Sequence, residues 1–188
     1  MEFLAGLDRD LFILINGLNS PLLDNVMVWI TNKYTWVPLY LYWGYVVIRH
    51  FPGHWILIFV SIAILILVTD QLTSNIMKPF FERLRPCHEQ NLSAALHLVV
   101  NCGGKFGFAS GHSANSFALA TFIFAVMKLT SRSWSLIFLW AFLVALSRVY
   151  VGVHYPADVI IGGIIGSIFA WLLFIAWKHF FYKMLSRL

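Results

Sequence analysis

Long apolar runs, broken by short polar clusters, organise this chain. Residues 55–81 start as an oily stretch at Trp55 and turn polar from Asp70. Further apolar runs cover 34–49, 112–128, 134–150 and 157–178. A helix of ~20 residues crosses a ~30 Å hydrocarbon core, so these runs predict membrane helices. Phe51-Pro52-Gly53-His54 and the basic Lys128-Leu129-Thr130-Ser131-Arg132-Ser133 read as the turns between them. Residues 82–109 read as a long loop. Residues 4–30 are different, being two apolar pieces split by Asn16-Gly17-Leu18-Asn19-Ser20-Pro21. Neither piece is long enough to cross alone. They read as interfacial or re-entrant helices, with one broken crossing as the rival reading.

Composition agrees with a bilayer as solvent. Sixty per cent of the 188 residues are hydrophobic, mean hydropathy is +0.79, and only 11% are charged. A soluble domain of this length could not bury so much apolar surface. The expected fold is therefore all-α: a polytopic membrane helix bundle with five to six transmembrane helices. Residues 1–188 read as one domain, with 1–31 the N-terminal interfacial or re-entrant part and 34–183 the bundle. The net charge of +5 raises nucleic acid as a partner. It is not expected, because Arg85 and Arg148 fall in the motifs below while Lys178, Lys183 and Arg187 follow the last apolar run. Glu2, Asp8 and Asp10 stand where a cleaved signal peptide would be basic. Arg49, the Lys128–Arg132 turn and the Lys178–Arg187 tail fall on one side, which the positive-inside rule makes cytoplasmic. The remaining polar clusters share the other side.

Those clusters carry the chemistry. Lys78 and Arg85 are seven apart, which on a continuing helix places two phosphate-gripping cations on one face, with Pro86 as the stop. Snorkelling anchors are the plainer reading. Arg83 lies between them and reads as a contact to lipid headgroups. Ser110-Gly111-His112 precedes an apolar run, where free backbone N–H groups and a helix dipole favour an anion. An ordinary helix cap is the plainer reading. Arg148 ends one run, His154 follows six residues later, and Asp158 opens the next. Four residues separate His154 from Asp158, so the carboxylate can reach one imidazole nitrogen and leave the other free.

Lys78-x6-Arg85-Pro86, Ser110-Gly111-His112 and Ser147-Arg148-x5-His154-x3-Asp158, in this order, resemble the signature of the type 2 phosphatidic acid phosphatase superfamily, which also contains the vanadium haloperoxidases. The resemblance covers roughly residues 70–175. Ala109 stands where that family usually has Pro, which loosens a turn and removes no chemical group. The resemblance implies a metal-independent phosphatase without cofactors. His154 would attack phosphorus, Asp158 would orient it, and His112 would protonate the leaving oxygen. Lys78, Arg85, Ser110, Gly111 and Arg148 would bind phosphate. It further implies a lipid phosphate substrate: undecaprenyl diphosphate first, then phosphatidic acid, phosphatidylglycerol phosphate or a lipid A phosphate. The location implied is a bacterial inner membrane, multi-pass, with the site facing the periplasm or exterior. Phosphotransfer to a lipid or sugar acceptor, haloperoxidase activity and non-enzymatic transport are the competing functions.

Cys87 and Cys102 bracket the long loop on the expected outer side, where disulfides persist. A disulfide is the preferred reading. Two free thiols, or a zinc site using His88 or His97, are its rivals. Gly162, Gly166 and Ala170 repeat every four residues and favour close helix packing inside the bundle or across a homodimer seam, so monomer and homodimer both remain. Asp70, Thr73, Ser74 and Asn75 mark the place where the second run should meet the polar site.

Overall fold

The computed structural model describes residues 2–92, 96–127 and 132–185. Among them the chain is a bundle of α-helices: α1 (Glu2–Gly17), α2 (Pro21–Thr31), α3 (Val37–His50), α4 (Trp55–Gln71), α5 (Lys78–Phe81), α6 (Gly111–Met127), α7 (Ile137–Tyr150) and α8 (Pro156–Leu185). A π-helical turn, Leu72–Met77, joins α4 to α5 without a break. The β pairing among the described residues is one antiparallel bridge, Leu84 to Phe106. Residues 128–131 of the expected basic turn, and Arg187 of the basic tail, lie outside the described residues.

Two helical stretches, Trp55–Phe81 and Pro156–His179, are each long and apolar enough to cross a membrane. Gly111–Met127 and Trp134–Tyr150 are shorter apolar helices. The two N-terminal helices are bent from one another by 114°. Their break follows from local chemistry: Ser20 accepts a hydrogen bond from the Leu23 N–H, and Pro21 opens α2.

α6 is the central helix. Ala118, Phe122, Ala125 and Met127 are fully buried on it, as expected of a helix that is apolar all round. α8 packs closely against it. A Cβ on Gly162 would lie 2.5 Å from the Ser110 carbonyl oxygen, and one on Gly166 2.0 Å from that of Ala114. The small-residue stripe thus serves contact within the chain. The opposite side of α8 exposes Ile160, Ile164, Ile168 and Ile175, and α4 exposes Ile56, Val60, Ile64 and Leu67. Apolar surface on this scale needs lipid against it.

α1 is divided in the same manner. Leu4, Leu7, Leu11 and Leu14 form an exposed stripe along one face, while Asp8, Phe12 and Asn16 are buried. The partners of the buried face all belong to the α7–α8 connection or the loop beside it. Asp8 accepts from the Ala157 N–H at 2.7 Å, and the Phe12 ring packs edge-on against Tyr155 at 5.4 Å. Asn16 donates to the carbonyls of Tyr150 at 2.7 Å and His97 at 2.8 Å. α1 therefore lies across that end of the bundle. α2 returns along α7, with Asp24 at Tyr150 and Thr31 at Arg148.

Candidate active site

The end that α1 covers is where α5, α6 and α8 meet the end of α7. A cavity of about 540 Å³ opens there, lined among others by Lys78, Arg85, Gly111, His112, Arg148 and His154. Six of the eight residues expected to hold or attack phosphate share its wall. Ser110 and Asp158 do not. Both are fully buried behind it, where the Ser110 N–H donates to the Asp158 carbonyl at 3.0 Å.

Each element delivers its residue for a local reason. Ile66, Asp70, Ser74 and Lys78 all line the cavity. In a regular α-helix each four-residue step drifts by about 40°, so Lys78 would rotate away from Ile66. The wide Leu72–Met77 turn absorbs the drift, as π turns commonly do at functional sites. Of the polar cluster there, Asp70 and Ser74 reach the wall. Thr73 is buried and bonds the Thr69 carbonyl, and Asn75 is exposed and pairs with Gln71.

Arg85 does not share a helix face with Lys78, contrary to the spacing argument. Glu82 takes a left-handed conformation (φ 46°, ψ 24°) that ends α5 at Phe81. Arg85 then sits on extended backbone, its N–H donating to the Lys105 carbonyl. Its guanidinium donates to the carbonyls of Cys102 at 2.9 Å and Phe106 at 3.2 Å, which leaves the rest of the fork for the cavity. Burial pulls this group below the usual arginine range, and Asp158 opposes the shift.

Arg83 also departs from expectation. It is no headgroup contact, because its guanidinium turns inward and bridges Asp158 and Asp8. Burial alone would lower its pKa, but the two carboxylates outweigh that and hold it above its ordinary value.

His154 is 2% exposed. Its Nδ1 lies 3.4 Å from Asp158 Oδ2, so the ring's other nitrogen is the one available to the cavity it lines. The same carboxylate oxygen accepts the Tyr155 N–H at 3.0 Å. Burial pushes the imidazole down to about 4, against the pull of Asp158, with Arg85 and Arg148 adding to the shift. The ring is therefore neutral at neutral pH. Gly107 makes the carboxylate's position possible, since a Cβ there would come within 2.9 Å of Asp158 Oδ2.

The cavity-facing cations have few protein acceptors. Arg148 Nη1 donates to Thr31 Oγ1 at 2.6 Å, but its buried Nε has no acceptor among the described residues. Lys78 Nζ makes one long contact, 3.4 Å to Ser74 Oγ. Three cations with spare donors around one space form a site for a polyoxygen anion. Farther down, Ile66, Leu119, Trp140 and Tyr40 continue the wall. His112 and Leu119 are seven residues apart on α6, or about 10 Å.

Cys87 and Cys102 are joined by a disulfide, with Cα atoms 6.0 Å apart. Their sulfurs come close to His88, yet a disulfide offers no thiolate to a metal. His97 is committed elsewhere: its ring meets the Asp24 carboxylate at 2.9 Å, and Tyr150 donates to that carboxylate at 2.8 Å. Asp8, Thr31 and Asn115 are among the residues around the site that motif reading missed. Their signal was faint, consisting of polar residues on otherwise apolar helices.

Three comparisons with known proteins bear on this geometry. Residues 54–182 match the family model described as the PAP2 superfamily. The chain is 40% identical over 186 residues to a lipid A 4'-phosphatase of Bacteroides thetaiotaomicron, spanning 95% of this chain and 80% of the relative. It is 35% identical over 188 residues to a lipid A 4'-phosphatase of Porphyromonas gingivalis, spanning 98% of this chain and 75% of the relative. Among solved structures, LpxE of Aquifex aeolicus superimposes with a TM-score of 0.69 at 28% identity, covering 89% of this chain and 94% of that one. The transmembrane PAP2-type phosphatidylglycerolphosphate phosphatase of Bacillus subtilis shares the fold, with a TM-score of 0.70 at 24% identity over 97% of this chain and 88% of that one. Sequence, fold and the cations gathered around one cavity agree, and the chain belongs to the PAP2 superfamily as a membrane lipid phosphatase.

Proposed function

We propose that the chain hydrolyses a phosphate monoester of a lipid A-type saccharolipid at the periplasmic face of the inner membrane, through a phosphohistidine on His154. The observation that carries the mechanism is the meeting of Lys78, Arg85, His112, Arg148 and His154 on one cavity, with Asp158 bonded behind His154. Two relatives, 40% and 35% identical over nearly the whole chain, are both lipid A 4'-phosphatases, which favours that substrate over the undecaprenyl diphosphate preferred from sequence. An undecaprenyl-diphosphatase of Sulfolobus acidocaldarius matches at 30% over 177 residues and keeps the diphosphate as the second reading.

In this mechanism the free ring nitrogen of His154 attacks phosphorus. The bond from phosphorus to the lipid oxygen breaks as His112 gives that oxygen a proton. Asp158 stabilises the positive charge that develops on His154. Lys78, Arg85 and Arg148, with the backbone at Gly111, hold the three equatorial oxygens. Water then attacks the phosphohistidine, His112 takes its proton, the P–N bond breaks and phosphate leaves. Fixed cations supply the charge a metal would otherwise bring. The apolar lower wall suits the lipid's hydrocarbon.

Phosphate release in detergent with EDTA tests this reading, using bisphosphorylated lipid A, undecaprenyl diphosphate and phosphatidic acid. The expected result is release from lipid A that EDTA does not slow and that His154→Ala lowers by about 10⁴-fold or more. Activity that needs a divalent metal, or that survives both His154→Ala and His112→Ala, would overturn it.

A further inference from the structure

The geometry points to Asp8 and Arg83 as a positioning pair that locks the Asp158 carboxylate, and through it the His154 imidazole, in its orientation toward the cavity. This rests on the role given to His154 above.

Asp158 is fully buried, and its two oxygens have separate tasks. Oδ2 takes the Tyr155 N–H at 3.0 Å and faces His154 Nδ1 at 3.4 Å. Oδ1 takes Arg83 Nη1 at 2.8 Å. Turning the carboxylate about its Cβ–Cγ bond would sacrifice one set or the other, so Arg83 fixes the plane in which Oδ2 meets the imidazole. Arg83 is itself held on three sides. Nη1 binds Asp158, Nη2 binds Asp8 Oδ2, and the guanidinium carbon sits 4.3 Å from the centre of the Tyr155 ring. A planar fork can bridge two carboxylates in this way, which a lysine ammonium cannot reproduce.

Asp8 closes the chain of contacts. Its Oδ1 accepts the Ala157 N–H at 2.7 Å, which pins it to the same first turn of α8 that carries Asp158. Ion pairs that merely cemented α1 to the bundle would have no reason to run through the carboxylate that touches His154. Asp8 also lies outside residues 54–182, the part that matches the family model. An N-terminal helix thereby contributes to a site whose attacking and phosphate-holding groups, from Lys78 to Asp158, lie in that part of the chain.

The charged and titratable groups that bear on the imidazole are Asp158 from α8, Arg85 from the long loop, Arg148 from α7 and His112 from α6. Lys78 from α5 and Arg83 act on it at one remove, through Asp158. Taking away Arg83 leaves the Asp158 charge without its counter-ion. That charge then favours the imidazolium more strongly, so the acid limb of kcat/KM moves to higher pH. Simple loosening of the fold would lower activity and leave the limb in place.

The test uses the full chain in detergent and the phosphate from the panel above that turns over fastest. Parent, Asp8→Asn, Arg83→Gln, the double variant and His154→Ala are compared, with thermal unfolding as the control. Asp8→Asn keeps an oxygen for the Ala157 N–H and loses the charge that holds Arg83. The expected losses in kcat are about 10-fold for Asp8→Asn and about 100-fold for Arg83→Gln, with KM within about twofold of the parent. The double variant should match Arg83→Gln within about twofold, because both changes break one chain of contacts. Losses that multiply, an acid limb that stays put in Arg83→Gln, or a kcat within about threefold of the parent in Asp8→Asn would overturn the inference. If Arg83→Gln does not fold, Asp8→Asn alone decides by the same threshold. Should His154→Ala remain active, the mechanism itself fails. If His154→Ala is silent while Asp8→Asn and Arg83→Gln run at the parent rate, only the positioning role fails.

Discussion

The two sides of His154 follow opposite rules. In front of it, Lys78 and Arg148 face the cavity with donors that the protein leaves largely unmatched. Behind it, Asp158, Arg83 and Asp8 have close partners at both oxygens or both terminal nitrogens. Spare donors are costly in a buried place unless an anion takes them, so the front is arranged for a ligand. Saturated carboxylates do not turn, so the back is arranged for rigidity. The contrast makes a kinetic claim: damage behind should lower kcat and leave KM alone, while damage in front should move both.

The largest effect belongs to the back. Asp158→Asn keeps the size of the side chain and removes the charge that supports the His154 imidazolium. Loss of the equivalent carboxylate in a serine protease triad drops kcat about 10⁴-fold, and a similar loss is expected here with KM little changed. Steady-state kinetics on the preferred lipid phosphate would show it. A KM that rises in step with the loss of kcat would break the division between front and back.

Next comes the front. Arg148→Lys keeps a positive charge but loses the fork that reaches Thr31 Oγ1 and leaves a buried Nε spare. A loss of about 10²-fold in kcat is expected, together with a clear rise in KM, because the phosphate is held in both ground and transition states. Inhibition by vanadate, a phosphate mimic, should weaken in parallel. An unchanged vanadate affinity would remove Arg148 from the front.

How much of this contrast the sequence displays differs between the two sides. Lys78, Arg85, His112 and Arg148 sit in short motifs, so the membership of the front is legible, although the helix end at Phe81 keeps Lys78 and Arg85 from sharing the face that their spacing suggests. One of the three residues behind is legible too, because Asp158 follows His154 by four at the start of a helix. Arg83 and Asp8 are not. Placing Arg83 requires knowing that Glu82, an ordinary L-residue, turns left-handed and ends the helix early. Asp8 differs from Asp10 only in the face of α1 that it occupies, and its partners are 75 and 149 residues away. The π turn at Leu72–Met77 was equally hidden, since nothing in that composition distinguishes it from an α turn. The broad fold was readable for the opposite reason. Apolar runs of near-membrane length need no long-range information, and the polar break at Ser20-Pro21 carries its own cap.

A smaller effect probes the balance between the sides through pH. Burial and the cations in front push His154 down to about 4, while Asp158 behind pulls it up. In the proposed mechanism His154 attacks only while neutral, above that value, and its activity is lost as pH falls through it. Once the substrate's own ionisation is divided out, the acid limb of kcat/KM should therefore fall near pH 4 and not near 6.5, the ordinary histidine value. A limb at 6.5 would mean that burial and the cations in front together do not outweigh the pull of Asp158 behind.

The smallest effect on catalysis belongs to the Cys87–Cys102 disulfide, which stands outside both sides yet touches the front through the Cys102 carbonyl bonded to Arg85. Cross-linking residues that are 15 apart in sequence removes freedom from the unfolded loop, which is worth about 3 kcal/mol in the chain-entropy treatment. For a chain of this size that corresponds to a fall in Tm of roughly 6–12 °C. The cavity should tolerate the loss better than the fold does. Arg85 also bonds the Phe106 carbonyl, and its backbone is paired to Lys105, so two anchors survive reduction. In the Cys87→Ser, Cys102→Ser double variant, kcat at 25 °C should stay within about threefold of the parent while thermal unfolding moves down. The reverse pattern, with Tm held and kcat reduced more than about tenfold, would make the disulfide part of the front and place Arg85 under its control.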